Sequence, residues 1–453
     1  MLLNYFKIAL RNLLRHKGFS FINIAGLSVG MTVAMLIGLW LWDEVSYDKY
    51  HQNYDRISQV MQFQTFNGQS EAQNTMPIPL ALELRQTYGA DFKHVVLSSW
   101  NDSHILSFGD KKLKADGSFV EPVFPDMLTL KMLKGSRAGL KDPSSILLCQ
   151  SLAKSLFGKA DPINQVLKLD NKRALKVTGV YEDLPYNTEF VDATFLAPWE
   201  LFVSTQPWVK DAYKNWGNNS FQIFAQLQPN ADLATVSKKI AQAKARNAKE
   251  EAANKPVIFL HPMSLWHLHS EWKNGVNTGG RIEIVWLFGI VGAFVLLLAC
   301  INFMNLSTAR SAKRAKEVGI RKAIGSVRGQ LIGQFLSESL LVVTFAFFLC
   351  LILVELSLPW FNAVADKKIV LLWDNPWFWL LSLGFSLFTG LLAGSYPAFY
   401  LSSFNPVQVL KGGGAPGTFQ MGRFAAIPRQ VLVVLQFTVS VTLIIGTIIV
   451  YRQ

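Results

Sequence analysis

An uncharged apolar run over residues 284–306 passes directly into Arg310, Lys313, Arg314, Lys316, Arg321, Lys322 and Arg328, against which stands only Glu317. The run is long enough to cross a bilayer, because about 20 apolar residues at 1.5 Å rise match the roughly 30 Å of hydrocarbon. Positive charge beside a span is retained on the cytoplasmic side. The basic stretch is therefore an element at the inner membrane face, and its position orients every other segment.

Four further apolar segments follow from the same reasoning. Residues 19–42 carry no charge and end in Trp40 and Trp42, the residues expected at an interface. They are too long for a signal-peptide core and have no small-residue cleavage site before Asp43, so they read as a retained first span with its N-terminus inside. Ahead of them, residues 1–18 form an amphipathic helix for the inner surface, with Phe6, Ala9 or Leu10, and Leu13 on one face and Lys7, Arg11 and Arg15 on the other. Residues 284–306 are the second span, 335–358 the third, 376–400 the fourth and 430–450 the fifth. The connection between the third and fourth has Asp366, Lys367, Lys368 and Asp374, which cancel, and belongs outside. The 401–429 linker has Lys411, Arg423 and Arg429 with no acid and belongs inside. Gly26 and Gly30 form a GxxxG on the first span, where small residues let another helix approach closely, within one bundle or across a dimer.

Between the first two spans lie residues 43–283, in which no stretch reaches spanning length. They read as a large extracytoplasmic α+β domain. Alternating patterns place strands near Ile57, Val60 and Phe63, over 94–99, 104–108 and 112–114, the last leading into 118–124, and over 165–169, 174–181, 221–227 and 257–260. Helices are expected over 77–88, 151–157 and 233–253. A second lobe is expected to begin near Trp216. The fold class is thus a multi-pass α-helical membrane protein with a large α+β outer domain of two lobes.

The net charge of +13 raises nucleic acid as a partner, and its distribution excludes it. Residues 43–283 carry 27 basic and 26 acidic side chains, whereas residues 1–19 give +4, 310–328 give +6 and 401–429 give +3. The excess tracks the spans and makes no binding face. Nor is there a catalytic constellation. The glycines of KGGGAPGT at 411–418 are not followed by Gly-Lys-Ser/Thr, so they make no phosphate-binding loop. His261, His267 and His269 with Glu271 read as loop residues rather than zinc ligands. Glu355, near the outer end of the third span, reads as snorkelling to the interface, the alternative being a place in a conduction or gating path. Cys149, Cys300 and Cys350 give neither a disulfide framework nor metal spacing.

Several stretches resemble one family. INFMNLSTARSAKRAKEVGIRKAIGSVRGQLIGQFLSESLL at 301–341 is similar to the segment joining the second and third spans of MacB/FtsX-family ABC transporter permeases. SLAKSLFGKADPINQVLKLD and KVTGVYEDLP resemble the periplasmic core domain of that family, NPVQVLKG its inner loop, and FKIALRNLLRHKGFSFINIAGLSVG its start. Asn164 stands where the family commonly has glycine. The resemblance implies a MacB-like periplasmic core domain, a cell inner-membrane location and a permease that is no enzyme itself. ATP and magnesium act through a separate ABC ATPase, and this chain binds no cofactor. It further implies a coupling element over residues 307–334, with Lys316, Glu317, Val318, Gly319, Ile320, Arg321, Lys322, Gly325 and Arg328 meeting the ATPase. Movement then passes along a helix broken near Gly319 or Gly325 to the outer domain, by mechanotransmission. The output is efflux of peptides, toxic compounds or lipid-linked cargo. The alternative is a regulatory permease that relays hydrolysis to an outer partner such as a cell-wall hydrolase without moving cargo. Implied partners are the ATPase, a periplasmic adaptor or outer-membrane channel, membrane lipids and a second permease copy. The amphipathic, basic approach to the span at 430–450 repeats the start of the chain. It is read as the opening of a second repeat of an eight-span permease.

Overall fold

The computed structural model describes residues 2–309, 311–403 and 421–452. It divides into two compact units, Asp43–Ile284 on one hand and Met1–Trp42 with Val285–Gln453 on the other. Residues 404–420 of the linker, with NPVQVLKG, Lys411 and the glycine run at 412–414, lie outside the described residues, as does Arg310.

The outer unit is built on fourteen strands: β1 (Ile57–Phe66), β2 (Gln69–Gln73), β3 (Phe92–Ser98), β4 (Asp102–Phe108), β5 (Lys111–Val120), β6 (Met132–Gly135), β7 (Ser145–Cys149), β8 (Val166–Leu169), β9 (Arg173–Tyr181), β10 (Phe195–Pro198), β11 (Gln222–Leu227), β12 (Val257–Pro262), β13 (Glu271–Lys273) and β14 (Val276–Gly279). The first twelve share one sheet, in which β10 pairs with both β7 and β5. The path β10-β7-β9-β8-β4-β5 therefore closes on itself as a barrel, whose interior holds Leu106, Phe119, Ile146, Leu167, Val177 and Phe195. Beyond β5 the sheet stays open as β3-β11-β1-β12, antiparallel throughout. The helix Ile78–Thr87 precedes β3, and Leu233–Ile240 with Ala243–Asn247 precede β12, all packed on one face of this open sheet. That is a split βαβ arrangement with the barrel inserted between its second and third strands.

This topology corrects the expected lobe boundary at Trp216. The lobe containing β11 and β12 also needs β1 and β3 from the start of the domain, because a strand cannot satisfy its backbone without its neighbours. The helix expected over 233–253 is likewise broken into Leu233–Ile240, Ala243–Asn247 and a 3₁₀ segment, Lys249–Asn254. The break turns Lys244 fully inward, where its Nζ donates to Gln62 Oε1 and Asn219 Oδ1, each at 2.8 Å, and pairs with Glu251. Turn chemistry matches the sequence more closely. Asp170 and Asn171 take φ of 51° and 57° between β8 and β9, and Asn164 takes 64°, left-handed values that Asn and Asp tolerate best after glycine.

In the other unit, among the described residues, four helices have the length and apolar composition of membrane spans: Lys17–Val45, Arg281–Ala309, Arg328–Ala365 and Pro376–Ser402. The chain is thus a multi-pass helical membrane protein with a mixed α+β outer domain. The fifth apolar segment lies on the helix Met421–Arg452. Helix Arg328–Ala365 begins seven residues before the apolar run at 335, so the third span extends into the basic region. Its packing with Pro376–Ser402 is close: a Cβ at Gly394 would stand 2.7 Å from Ser339 Cβ, and one at Gly390 2.6 Å from Leu340 Cδ2.

Candidate functional site

The basic run folds as the helix Ser311–Ala323, a turn, and the start of Arg328–Ala365. Gly325 closes the turn with φ of 104°, a conformation that costs an L-residue strain, whereas Gly319 lies inside the helix and is buried. The break is therefore at Gly325 and not at Gly319. Val327 N–H donates to Gln330 Oε1 at 3.3 Å and starts the next helix.

One side of this hairpin is anchored. Val318 is buried with Leu331, Phe335, Ala398 and Leu401, so the Ser311–Ala323 helix packs against both the third and the fourth spans. Arg321 donates to Glu317 Oε1 at 2.7 Å, one turn back, and also to Gln334 Oε1. Gln334 Nε2 donates to Glu338 Oε1 at 3.1 Å, and Asn12 Nδ2 approaches Glu338 Oε2 at 3.4 Å. A polar chain thus runs from Glu317 through Arg321, Gln334 and Glu338 to the N-terminal helix Leu2–Arg15. Each link keeps a charged or amide group satisfied beside apolar helices, where an unpaired one would be costly.

The opposite side is open. Ile320 is 45% exposed, Ile324 81% and Val327 59%, and Glu317 and Arg328 lie exposed beside them. Ile320 and Ile324 are four residues apart and share a helical face. Lys316 lies in the helix with its side chain undescribed, and Lys322 is half-buried. Sequence reasoning named the charges here and missed Ile324, Val327, Gln334 and Glu338. An isoleucine flanked by lysine and arginine reads as part of a helix pattern, and nothing local reveals that it faces outward.

Gly26 and Gly30 face the second span. A Cβ at Gly30 would overlap that of Ala299, and one at Gly26 would stand 3.3 Å from Asn302 Nδ2. Leu27, Met31, Leu296, Cys300 and Phe303 pack in the same cluster, so the two helices form a tightly fitted pair.

Of the three clustered histidines, His267 and His269 lie in the turn and loop after Trp266, as expected, whereas His261 lies on β12. His267 Nε2 bonds Glu44 Oε2 at 2.6 Å, its ring stacks on Tyr47 at 3.7 Å, and Arg281 reaches Glu44 at 3.5 Å. His261, on β12, is 5% exposed, and burial, with His269 nearby, lowers its pKa from 6.5 to about 4. A histidine whose folded pKa is depressed binds fewer protons than the unfolded chain does. Its contribution is complete above pH 6.5 and is lost as pH falls towards 4, by about 3 kcal/mol at most. Thermal unfolding of the full chain in detergent at pH 7 and pH 4.5 measures this. His261→Gln should lose less stability on acidification than the wild type, and equal losses would remove His261 as the cause.

Two family models match the chain: a MacB-like periplasmic core domain over residues 20–243 and an FtsX-like permease C-terminal region over residues 289–406. Both are permease domains. Among curated proteins, the macrolide export ATP-binding/permease protein MacB of Bdellovibrio bacteriovorus is 24% identical over 270 residues, 58% of this chain and 38% of that protein. The match therefore spans well under half of that relative's length. The uncharacterised ABC transporter permease YknZ of Bacillus subtilis is 22% identical over 332 residues, 72% of each chain. Among solved structures, a domain of a permease protein from Porphyromonas gingivalis aligns at a TM-score of 0.39 and 21% identity, covering 47% of this chain and 92% of that one. The periplasmic region of MacB from Actinobacillus actinomycetemcomitans aligns at 0.33 and 16%, covering 44% and 87%.

Proposed function

Since this chain belongs to the MacB/FtsX family of ABC transporter permeases, we propose that it couples ATP hydrolysis by a separate ABC ATPase to a conformational change of its extracytoplasmic domain. The observation that carries this reading is the two-sided hairpin around Gly325. One side is locked to the third and fourth spans through Val318 and through the bond from Arg321 to Gln334, and the other presents Ile320, Ile324 and Val327 outward. A docking element needs both, because a surface that receives force must be rigidly attached to what it moves. The N-terminus and this hairpin are assigned to the cytoplasmic side, by the charge beside each span. The second span is 29 residues long, about 43 Å as a helix, and so extends past the hydrocarbon at both ends. Its fit to the first span at Gly30 lets the pair pass a displacement on as one body.

The proposed output is efflux of a peptide, toxic compound or lipid-linked cargo, in a dimeric permease served by an adaptor or outer channel. The full chain, reconstituted in nanodiscs with an ABC ATPase from the same genome, tests the coupling. Spin-label distances within the outer domain should differ between the ATP-bound and ADP-bound states, and ATP hydrolysis should rise when the permease is present. Failure of any ATPase to co-purify, with distances indifferent to nucleotide, would overturn the coupling. Nucleotide-dependent movement without export in vesicles would replace efflux by relay to an outer partner.

A further inference from the structure

The open sheet β3-β11-β1-β12 has two unlike faces. Leu97, Ile223, Val60 and Leu260 point to the helices and form an apolar core. Alternate residues turn the other way, and those that line the space there are Ser98 on β3, Gln222 and Phe224 on β11, Gln59 and Met61 on β1 and His261 on β12, polar or aromatic but for Met61. Pairing makes them neighbours, since Gln222 lies opposite Ser98, Phe224 opposite Gln59, and Gln59 opposite His261. In a folded domain this face would ordinarily be filled by apolar side chains or left to solvent. Here it is roofed by Phe124, Leu196 and the 189–193 loop, and walled by Trp100, Trp266 and Trp272, around a cavity of about 350 Å³.

We propose that this cavity is a binding site for a neutral carbohydrate, of the size of a mono- or disaccharide. Its volume falls within the roughly 300–1,000 Å³ of small-molecule sites. Three indoles and the Phe190 and Phe224 rings offer flat apolar faces to the C–H faces of a pyranose. Gln59, Asn74, Asn101 and Gln222 each offer an N–H donor and a carbonyl acceptor, the pairing that vicinal hydroxyls require. Two buried groups at the wall have no hydrogen-bond partner among the described residues: His261 Nε2 and Trp272 Nε1, on rings 5.4 Å apart. A hydroxyl both donates and accepts, and so satisfies either. Native proteins seldom leave such atoms unpaired, because each costs on the order of 1–3 kcal/mol.

Charge narrows the class. Among the described residues, Glu189 is the one carboxyl on the wall, and no lysine or arginine lines it. Burial and the neighbouring Asp48 hold Glu189 above the usual carboxylate range, and burial lowers His261, so both favour their uncharged forms. A phosphorylated sugar or the free carboxylate of a peptide would meet no cation here. The site is independent of whether an ATPase drives the chain.

Titration of the full chain in nanodiscs, followed by tryptophan fluorescence and calorimetry, tests the assignment. The probes are N,N′-diacetylchitobiose, cellobiose and maltose, with glucose 6-phosphate and phenylalaninamide as anionic and cationic comparisons. At least one neutral disaccharide should bind saturably at millimolar concentration or below, roughly tenfold tighter than glucose 6-phosphate. Gln59→Leu and Gln222→Leu, similar in volume to the wild type, should each weaken it by about tenfold. Trp100→Ala, at the half-exposed rim, serves the same purpose if either leucine variant unfolds. Absence of binding by all three disaccharides would overturn the site. Binding of phenylalaninamide alone would overturn the carbohydrate class, and undiminished binding in the folded variants would place any sugar elsewhere.

Discussion

Replacing Ile324 and Ile320 together by aspartate is expected to cut partner ATPase co-purification, and the ATP hydrolysis it stimulates, by about tenfold or more. Single exposed hydrophobics need no explanation, but Ile320, Ile324 and Val327 lie within eight residues at the tip of one hairpin, all three exposed. An anchor of this kind costs about 2 kcal/mol or more when truncated at the centre of an interface. Because the side chains face away from the spans, membrane insertion and thermal stability should be unchanged. Co-purification from detergent and hydrolysis by the reconstituted ATPase measure the effect. Wild-type values for both would sink the docking role. Reversing Arg321 would be a poorer test. Glutamate there would stand one turn from Glu317 and would sever the bond to Gln334, so loss of function would report folding as much as docking.

Lys244→Met should destabilise the outer domain by about 3–5 kcal/mol, the cost of leaving one half of a buried ion pair. Lys244 is fully buried; Glu251 also accepts from Gln64 Nε2 at 2.7 Å and Asn219 Nδ2 at 3.1 Å. Methionine fills the volume of the lysine stem, so the loss isolates the charge. Adding Glu251→Gln should recover a large part of it, since the double variant no longer buries an uncompensated carboxylate. Thermal unfolding of the full chain compares the three proteins. A silent Lys244→Met, or a double variant weaker than the single, would show that the pair does not hold β1 to the 243–254 segment.

Legibility was uneven, and for identifiable reasons. Four of the five expected spans were readable as helices of spanning length, because a bilayer demands length and hydrophobicity from contiguous residues. The strands at 165–169 and 174–181 were readable because Asp170-Asn171 marks the turn and Leu167 and Leu169 alternate with Val166 and Lys168. The 233–253 segment was misread because its lysines suggest a solvated helix face, whereas Lys244 is drawn inward by Gln62, Asn219 and Glu251, two of them far away in sequence. The lobe boundary was misread because β1 and β11, which pair residue by residue, are separated by the whole barrel.

In the basic hairpin, charge type and spacing located the element, and tertiary packing decided which side is free. Arg321 looks available to a partner and is instead held by Glu317 and Gln334, while Ile324 looks destined for a core and stands open. The sequence alone determined which segments are long and apolar enough to span a membrane, the size of the outer domain and the family resemblance, because these depend on local hydrophobicity, charge and short motifs. Only the tertiary structure decided the barrel closure, the exposed isoleucines and the cavity behind Gln59 and His261. Each of these depends on residues brought together from distant strands and helices, and a linear pattern does not record which face of an element its neighbours cover.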